Sequence, residues 1–149
     1  MWNEDYREML CALRDAEVDY ILIGAFALAA HGFPRATLDI DLWVRPTQDN
    51  ARRVCQALAQ FGAPRSQIVA GDFEKPDVVV QIGVAPRRID FVTSISGVAY
   101  DDAAKNAIER DIDGLNIRIL SAQDFVRNKL ASGRPKDIAD AELLRNRPQ

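Results

Sequence analysis

Residues 20–44 constrain this chain more tightly than any other stretch, because four backbone instructions follow one another there without slack. Tyr20–Ile23 is an apolar run of strand type, and Gly24 stands where a strand must break sharply. Residues 25–31 have helical character, and Gly32 with Pro34 ends it. Over 38–44, Asp39 and Asp41 alternate with Ile40 and Leu42, so the two-residue period of a strand sets both carboxylates on one face and both aliphatic chains on the other. Neighbouring carboxylates repel, and desolvation beside a sheet raises the cost unless a proton or a cation compensates. Mg²⁺ is one such compensator: it takes one or two carboxylate ligands and leaves its other positions to water and substrate phosphates. A solvated sheet face without chemistry is the other reading of an isolated Asp-x-Asp, and the surrounding chain has to choose between them.

A chain of 149 residues predicts one domain over 1–149, large enough to bury a core without disulfide or metal staples. Hydrophobic residues at 48% and charged residues at 28% are ordinary for a soluble globular protein. A net charge of −3 and a pI near 5.2 exclude a global field that would draw the chain to nucleic acid, so any such contact needs a local patch. Cys11 and Cys55 fall in helical segments without metal-ligand spacing and predict buried free thiols in a reducing compartment. The charged opening residues do not read as a signal peptide, and no apolar run approaches the ~20 residues of a membrane span. The expectation is a cytoplasmic protein with no membrane contact.

Along the chain, residues 3–16 read as an amphipathic helix with Tyr6, Met9, Leu10 and Leu13 at helical spacing. Thr47 is a natural N-cap for a helix that continues over 51–61 and closes at Gly62. Residues 63–76 predict a loop with at most a short strand at 67–70. The β-branched runs 78–84 and 88–94, joined through Ala85, Pro86 and Arg87, predict a hairpin. Its second strand carries Asp90 on the face opposite Ile89 and Phe91, a lone acid in an otherwise apolar run. Residues 101–109 predict a helix, 111–120 a hairpin turning at Asp113-Gly114, and Ser121 caps a helix through Ala131. Gly133 and Pro135 break it before a last helix over 136–145. Strand, helix, strand and helix in alternation argue for an α/β arrangement with the sheet covered on at least one face.

Gly24, the Asp39/Asp41 pair and Asp90 on a later strand come in the order of the nucleotidyltransferase fold. The chain resembles the small bacterial nucleotidyltransferases of DNA polymerase β-like fold, similar to the AbiEii type of abortive-infection toxins. The residues that carry this are Leu22-Ile23-Gly24, His31-Gly32, Arg35-Ala36-Thr37, Asp39-Ile40-Asp41-Leu42, Arg88-Ile89-Asp90-Phe91, Lys129 and Arg134-Pro135-Lys136-Asp137. The likeness spans Tyr20 to Asp140. It implies an α/β (α+β) fold, a mixed sheet flanked by helices with a helical C-terminal segment. It also implies transfer of a nucleoside monophosphate from an NTP to an RNA (tRNA-like) or protein acceptor, with an antitoxin protein as a possible partner in a toxin-antitoxin setting. Asp39, Asp41 and Asp90 would be the catalytic, metal-binding carboxylates for two Mg²⁺ ions, which clamp the attacking and leaving oxygens of an in-line displacement. Gly24, Ala25, Arg35, Thr37, Lys129, Arg134 and Lys136 would bind the nucleotide, with Gly24 letting backbone amides approach the phosphates. Many relatives have Gly-Gly or Gly-Ser at this turn; Ala25 offers no hydroxyl.

Each candidate also has a structural reading. Asp90 can be a hydrogen-bonded structural acid. Arg35 and Thr37 either contact phosphate or brace the loop before Asp39. Lys129, Arg134 and Lys136 either neutralise a triphosphate or form a solvated face paired with Asp137 and Asp140. Arg87 and Arg88, flanking the Asp90 strand, either meet a polynucleotide acceptor or guard a strand edge. His31 helps to end its helix, and Trp2 and Trp43 are packing. The competing function is a non-catalytic member of the fold that binds a nucleotide or a protein, antitoxin-like or as one subunit of an assembly.

Overall fold

The computed structural model describes residues 2–147. Helix α1 (Glu4–Asp15) leads into β1 (Tyr20–Ile23), α2 (Gly24–Ala30), β2 (Asp39–Val44) and α3 (Gln48–Phe61). The hairpin β3 (Val79–Ile82) and β4 (Arg88–Val92) follows, then α4 (Tyr100–Asn106), the hairpin β5 (Ile108–Ile112) and β6 (Leu115–Ile119), and finally α5 (Ala122–Ser132) and α6 (Pro135–Arg145). The six strands form one sheet in the order β3-β4-β2-β1-β6-β5. Strands β2 and β4, and β1 and β6, pair parallel, whereas the other neighbours are antiparallel. This is the mixed α/β sheet expected of the sequence, with helices around it. No helix among the described residues is long and apolar enough to cross a membrane.

Local chemistry explains most boundaries. Asn3, Thr47 and Ser121 each accept a backbone N–H from three residues on, capping α1, α3 and α5. Gly62 and Gly133 end α3 and α5 in the left-handed region, which a glycine enters without a Cβ penalty. Ile21, Leu22, Ile40, Leu42 and Phe91 are fully buried at the centre of the sheet, where each such side chain contributes about 2 kcal/mol of hydrophobic stabilisation. Trp2 packs on Phe26, and Trp43 meets Tyr100 edge-on, so both indoles are packing.

Three expectations are corrected. Residues 67–70 form no strand; short 3₁₀ turns at Arg65–Gln67 and Ala70–Phe73 replace it, with Phe73 buried against Phe91. The helix expected over 101–109 is Tyr100–Asn106, and Ile108 opens β5 instead, opposite Ile119. Pairing with β6 overrides the modest helix preference of those last residues. Cys11 and Cys55 are free thiols as expected, but partly rather than fully buried.

Candidate active site

Strand β2 carries the centre of the site. Its pleat turns Ile40 and Leu42 into the core, and Asp39 and Asp41 to the opposite face. The parallel register with β4 sets Asp39 beside Arg88 and Asp41 beside Asp90. Four charged residues thus occupy a two-by-two block on one face of two adjacent strands. Asp39, Asp41 and Asp90 each offer an oxygen such that all three lie within 4.8 Å of one another, a donor set of hard oxygens that suits a divalent cation such as Mg²⁺.

The Gly24 turn explains how Asp41 fits. Gly24 has φ +70, and a Cβ there would lie 2.2 Å from Asp41 Oδ2. Only a residue without a side chain lets the strand break into α2 and the carboxylate press against the backbone at the same time.

The electrostatics follow from the geometry. Burial pushes the Asp41 carboxyl up to about 7, and repulsion from Asp39 and then Asp90 adds to it; Lys129 and Arg88 pull the other way. Asp90, 6% exposed, is raised too, by burial first, with Arg88 offsetting part of it. Arg88 Nη2 donates to Asp39 Oδ2 at 2.5 Å and to Asp90 Oδ2 at 3.3 Å, and its Nε donates to Asp90 Oδ1 at 3.0 Å. The Thr37 hydroxyl sits 3.1 Å from Asp39 Oδ1 and 3.0 Å from the Asp39 carbonyl oxygen. The Tyr6 hydroxyl donates to the Pro86 carbonyl at 3.1 Å, and burial, then the Asp39 charge, raises its pKa.

A cavity of about 340 Å³ opens beside the carboxylates. Gly24, Ala25, Arg35, Thr37, Asp39, Asp41, Lys129, Arg134 and Lys136 all line it, so sites far apart in sequence meet on one wall or another. Asp90 is not in that lining; it lies beneath Arg88 at the edge of the triad. Three of the basic side chains carry internal partners. Arg35 Nη2 donates to Asp140 Oδ1 at 2.8 Å, and Lys129 Nζ stands 3.5 Å from Asp137 Oδ1 and 5.1 Å over the Phe125 ring. Asp137 also accepts from Ser132 Oγ at 2.6 Å and Arg134 Nε at 2.9 Å. Burial alone would raise Asp137, but Ser132, Lys129 and Arg134 outweigh it and hold the carboxyl below its usual range.

Two expectations change here. Asp137 and Asp140 pair with basic side chains of the cavity but do not belong to a solvated face: they are 6% and 7% exposed and line the cavity themselves. Arg88 does not guard an edge: β4 lies inside the sheet, and Arg88 Nε and Nη2 are taken up by Asp39 and Asp90. The signal for Arg88 is present in the chain, since Arg88-x-Asp90 shares the two-residue spacing of Asp39-x-Asp41. Its partner on β2 is a matter of strand register. His31 Nε2 donates to the Leu120 carbonyl at 2.8 Å, tying the end of α2 to the end of β6, away from any ligand role.

Comparison with known proteins agrees with this fold. The profile of a family described as nucleotidyltransferase of unknown function (DUF6036) matches residues 4–145. No curated protein matches the sequence. Among solved structures, a protein from Thermotoga maritima described as a nucleotidyltransferase superposes with a TM-score of 0.59 at 16% identity, covering 93% of this chain and 87% of that one. ANT(2″)-Ia in complex with adenylyl-2″-tobramycin superposes with a TM-score of 0.55 at 16% identity, covering 93% of this chain and 84% of that one. At such identity the two structures speak for the fold.

Proposed function

The chain belongs to the DUF6036 family of nucleotidyltransferases, and on that premise we propose that it is a Mg²⁺-dependent enzyme that transfers a nucleoside monophosphate from an NTP to an RNA, tRNA-like, or protein acceptor. The observation that carries this reading is the block of three carboxylates with oxygens within 4.8 Å of one another, two of which line a cavity shared with Arg35, Lys129, Arg134 and Lys136. The choice of acceptor, and a role as the toxin of a toxin-antitoxin pair, is supported by the resemblance to AbiEii-type toxins.

In this reading Asp39, Asp41 and Asp90 hold two Mg²⁺ ions. Bound there, Mg²⁺ would neutralise the triphosphate and lower the pKa of the acceptor hydroxyl. The chain's own residues do the remaining work. Lys129, Arg35, Arg134 and Lys136 face the triphosphate, and the Gly24-Ala25 turn admits it close to the backbone. Thr37 fixes the Asp39 carboxylate through its hydroxyl. The acceptor oxygen attacks the α-phosphorus as the bond from that phosphorus to the bridging oxygen breaks; pyrophosphate leaves, and the acceptor proton passes to Asp90. Positioning and charge neutralisation supply most of the catalysis in such displacements.

The test is label transfer. Incubated with Mg²⁺, each α-labelled NTP in turn and total RNA or cell lysate, the wild-type chain should label an acceptor. Asp39→Ala with Asp41→Ala should lower the rate by about 10³-fold or more, in line with removal of the groups that stabilise developing charge. A wild type that neither transfers label nor binds any NTP sinks the proposal. Binding without transfer points instead to a non-catalytic member of the fold.

A further inference from the structure

Arg88 stands where a cation would be expected. It lies on β4 directly beside Asp39 of β2, two residues before Asp90 on the same face, and its guanidinium bridges the two acids. Both Asp90 oxygens accept from it, at 3.0 and 3.3 Å. Asp41 makes the contrast: its Oδ2 faces the Gly24 turn, it lines the cavity with Asp39, and the Arg88 contacts go to Asp39 and Asp90 instead. The triad is therefore divided into an Asp39/Asp41 side open to the nucleotide cavity and an Asp39/Asp90 side already matched by a fixed positive charge.

Resting on the nucleotidyltransferase reading, we infer that Arg88 is a built-in counter-ion that blocks the Asp39/Asp90 position and makes the two cation positions fill in order. The first divalent ion enters at Asp39 and Asp41 while Arg88 keeps its two contacts to Asp90. A second ion needs Asp90, so it enters only when the guanidinium leaves. A triphosphate favours that exchange twice over: its oxygens complete the second ion's shell, and its charge gives the released guanidinium a new partner in bidentate geometry. Arg88 has a way out, since its side chain is one-third exposed. The device offsets charge on the Asp39/Asp90 side before substrate arrives and couples assembly of the full site to nucleotide. Arg88 is thus a positioning residue for the metals.

Mn²⁺ titration by calorimetry, on protein stripped of divalent ions and without nucleotide, reads this directly. The wild type should bind one ion. Arg88→Gln should bind a second, or bind it at least about tenfold more tightly, because a charge-assisted contact of this kind resists displacement. Arg88→Lys keeps the charge but loses the fork, and should fall between the two; it carries the test if the glutamine variant does not fold. Equal stoichiometry and affinity in all three proteins, or two equal ions in the wild type, overturns the inference and leaves the enzyme reading standing. Absence of Mn²⁺ binding in every variant overturns both.

Discussion

Strands β1 and β2 carry a charged cluster at each end, and the two are balanced in opposite ways. At one end Asp19 precedes Tyr20, and Arg45 follows Val44 across the pair. Arg45 Nε donates to Asp19 Oδ2 at 2.6 Å, Arg118 Nη1 and the Tyr100 hydroxyl donate to Oδ1 at 3.0 and 2.8 Å, and buried Asn50 clasps the Asp19 backbone on both its N–H and C=O. Arg45 pairs with Asp101 as well. Burial raises the Asp19 carboxyl, but these donors and charges outweigh it, and the net direction is down. At the other end three carboxylates share one arginine, and Asp41 is driven up to about 7. Two acids with two arginines are a balanced clasp; three acids with one arginine leave charge for an added cation to neutralise. Charge imbalance, more than the number of charges, separates a structural cluster from a candidate site.

Substituting one acid at each end puts that difference to the test. Asp19→Asn should lower unfolding free energy by about 1–3 kcal/mol, because Arg45 and Arg118 lose a partner in a half-buried site. Asp41→Asn should leave stability unchanged or raise it at pH 8, since it removes repulsion. Denaturant unfolding of both variants decides the matter; equal losses would erase the distinction. Label transfer should respond the other way round, with Asp19→Asn near wild type.

Gly24→Ala should come next in size. It forces a side chain into a backbone at φ +70 and into the volume held by Asp41 Oδ2. A loss of about 1–2 kcal/mol in thermal or denaturant unfolding is expected, together with weaker Mn²⁺ binding as Asp41 is pushed aside. A variant with wild-type melting and wild-type affinity would show that the close approach is dispensable.

The smallest effect is the most diagnostic, because its sign reverses between the two ends. Asp41 keeps its proton to about 7 in the folded chain and to 3.8 as an ordinary aspartate, so the folded state binds more protons in that window and stability falls as pH rises through it. Asp19 is held below its ordinary value; its contribution is present above about pH 4 and lost as pH falls. Asp41→Asn should flatten the upper part of a stability-pH curve and Asp19→Asn the lower. Mg²⁺ should cancel the upper decline in wild type and in Asp19→Asn, both of which keep Asp41. Identical curves for both variants would refute the assignment.

Much of this was legible along the chain where the deciding forces are local. Asp39 and Asp41 share a face because a strand alternates, and Thr47, Ser121, Gly62 and Gly133 bound helices through groups only a few residues away. The hairpin turn at Asp113-Gly114 follows from two residues that tolerate positive φ. The expectations that failed concern segments whose state depends on a remote partner. Ile108 is a strand residue because Ile119 lies opposite, and Ala70–Phe73 is coiled tightly because Phe73 finds Phe91.

The sequence by itself determined the elements, the carboxylate pair on one strand and the glycine that precedes it, since alternation, capping and turn preference act within a few residues. Tertiary structure alone decided that Asp90 joins that pair, that Arg88 lies between Asp39 and Asp90, and that Asp137 and Asp140 are buried among the basic residues of the cavity. Those placements rest on the parallel register of β2 with β4 and on α5 and α6 folding back toward β2. Pairing and packing across dozens of residues are set by the core as a whole, and no short stretch of chain encodes them.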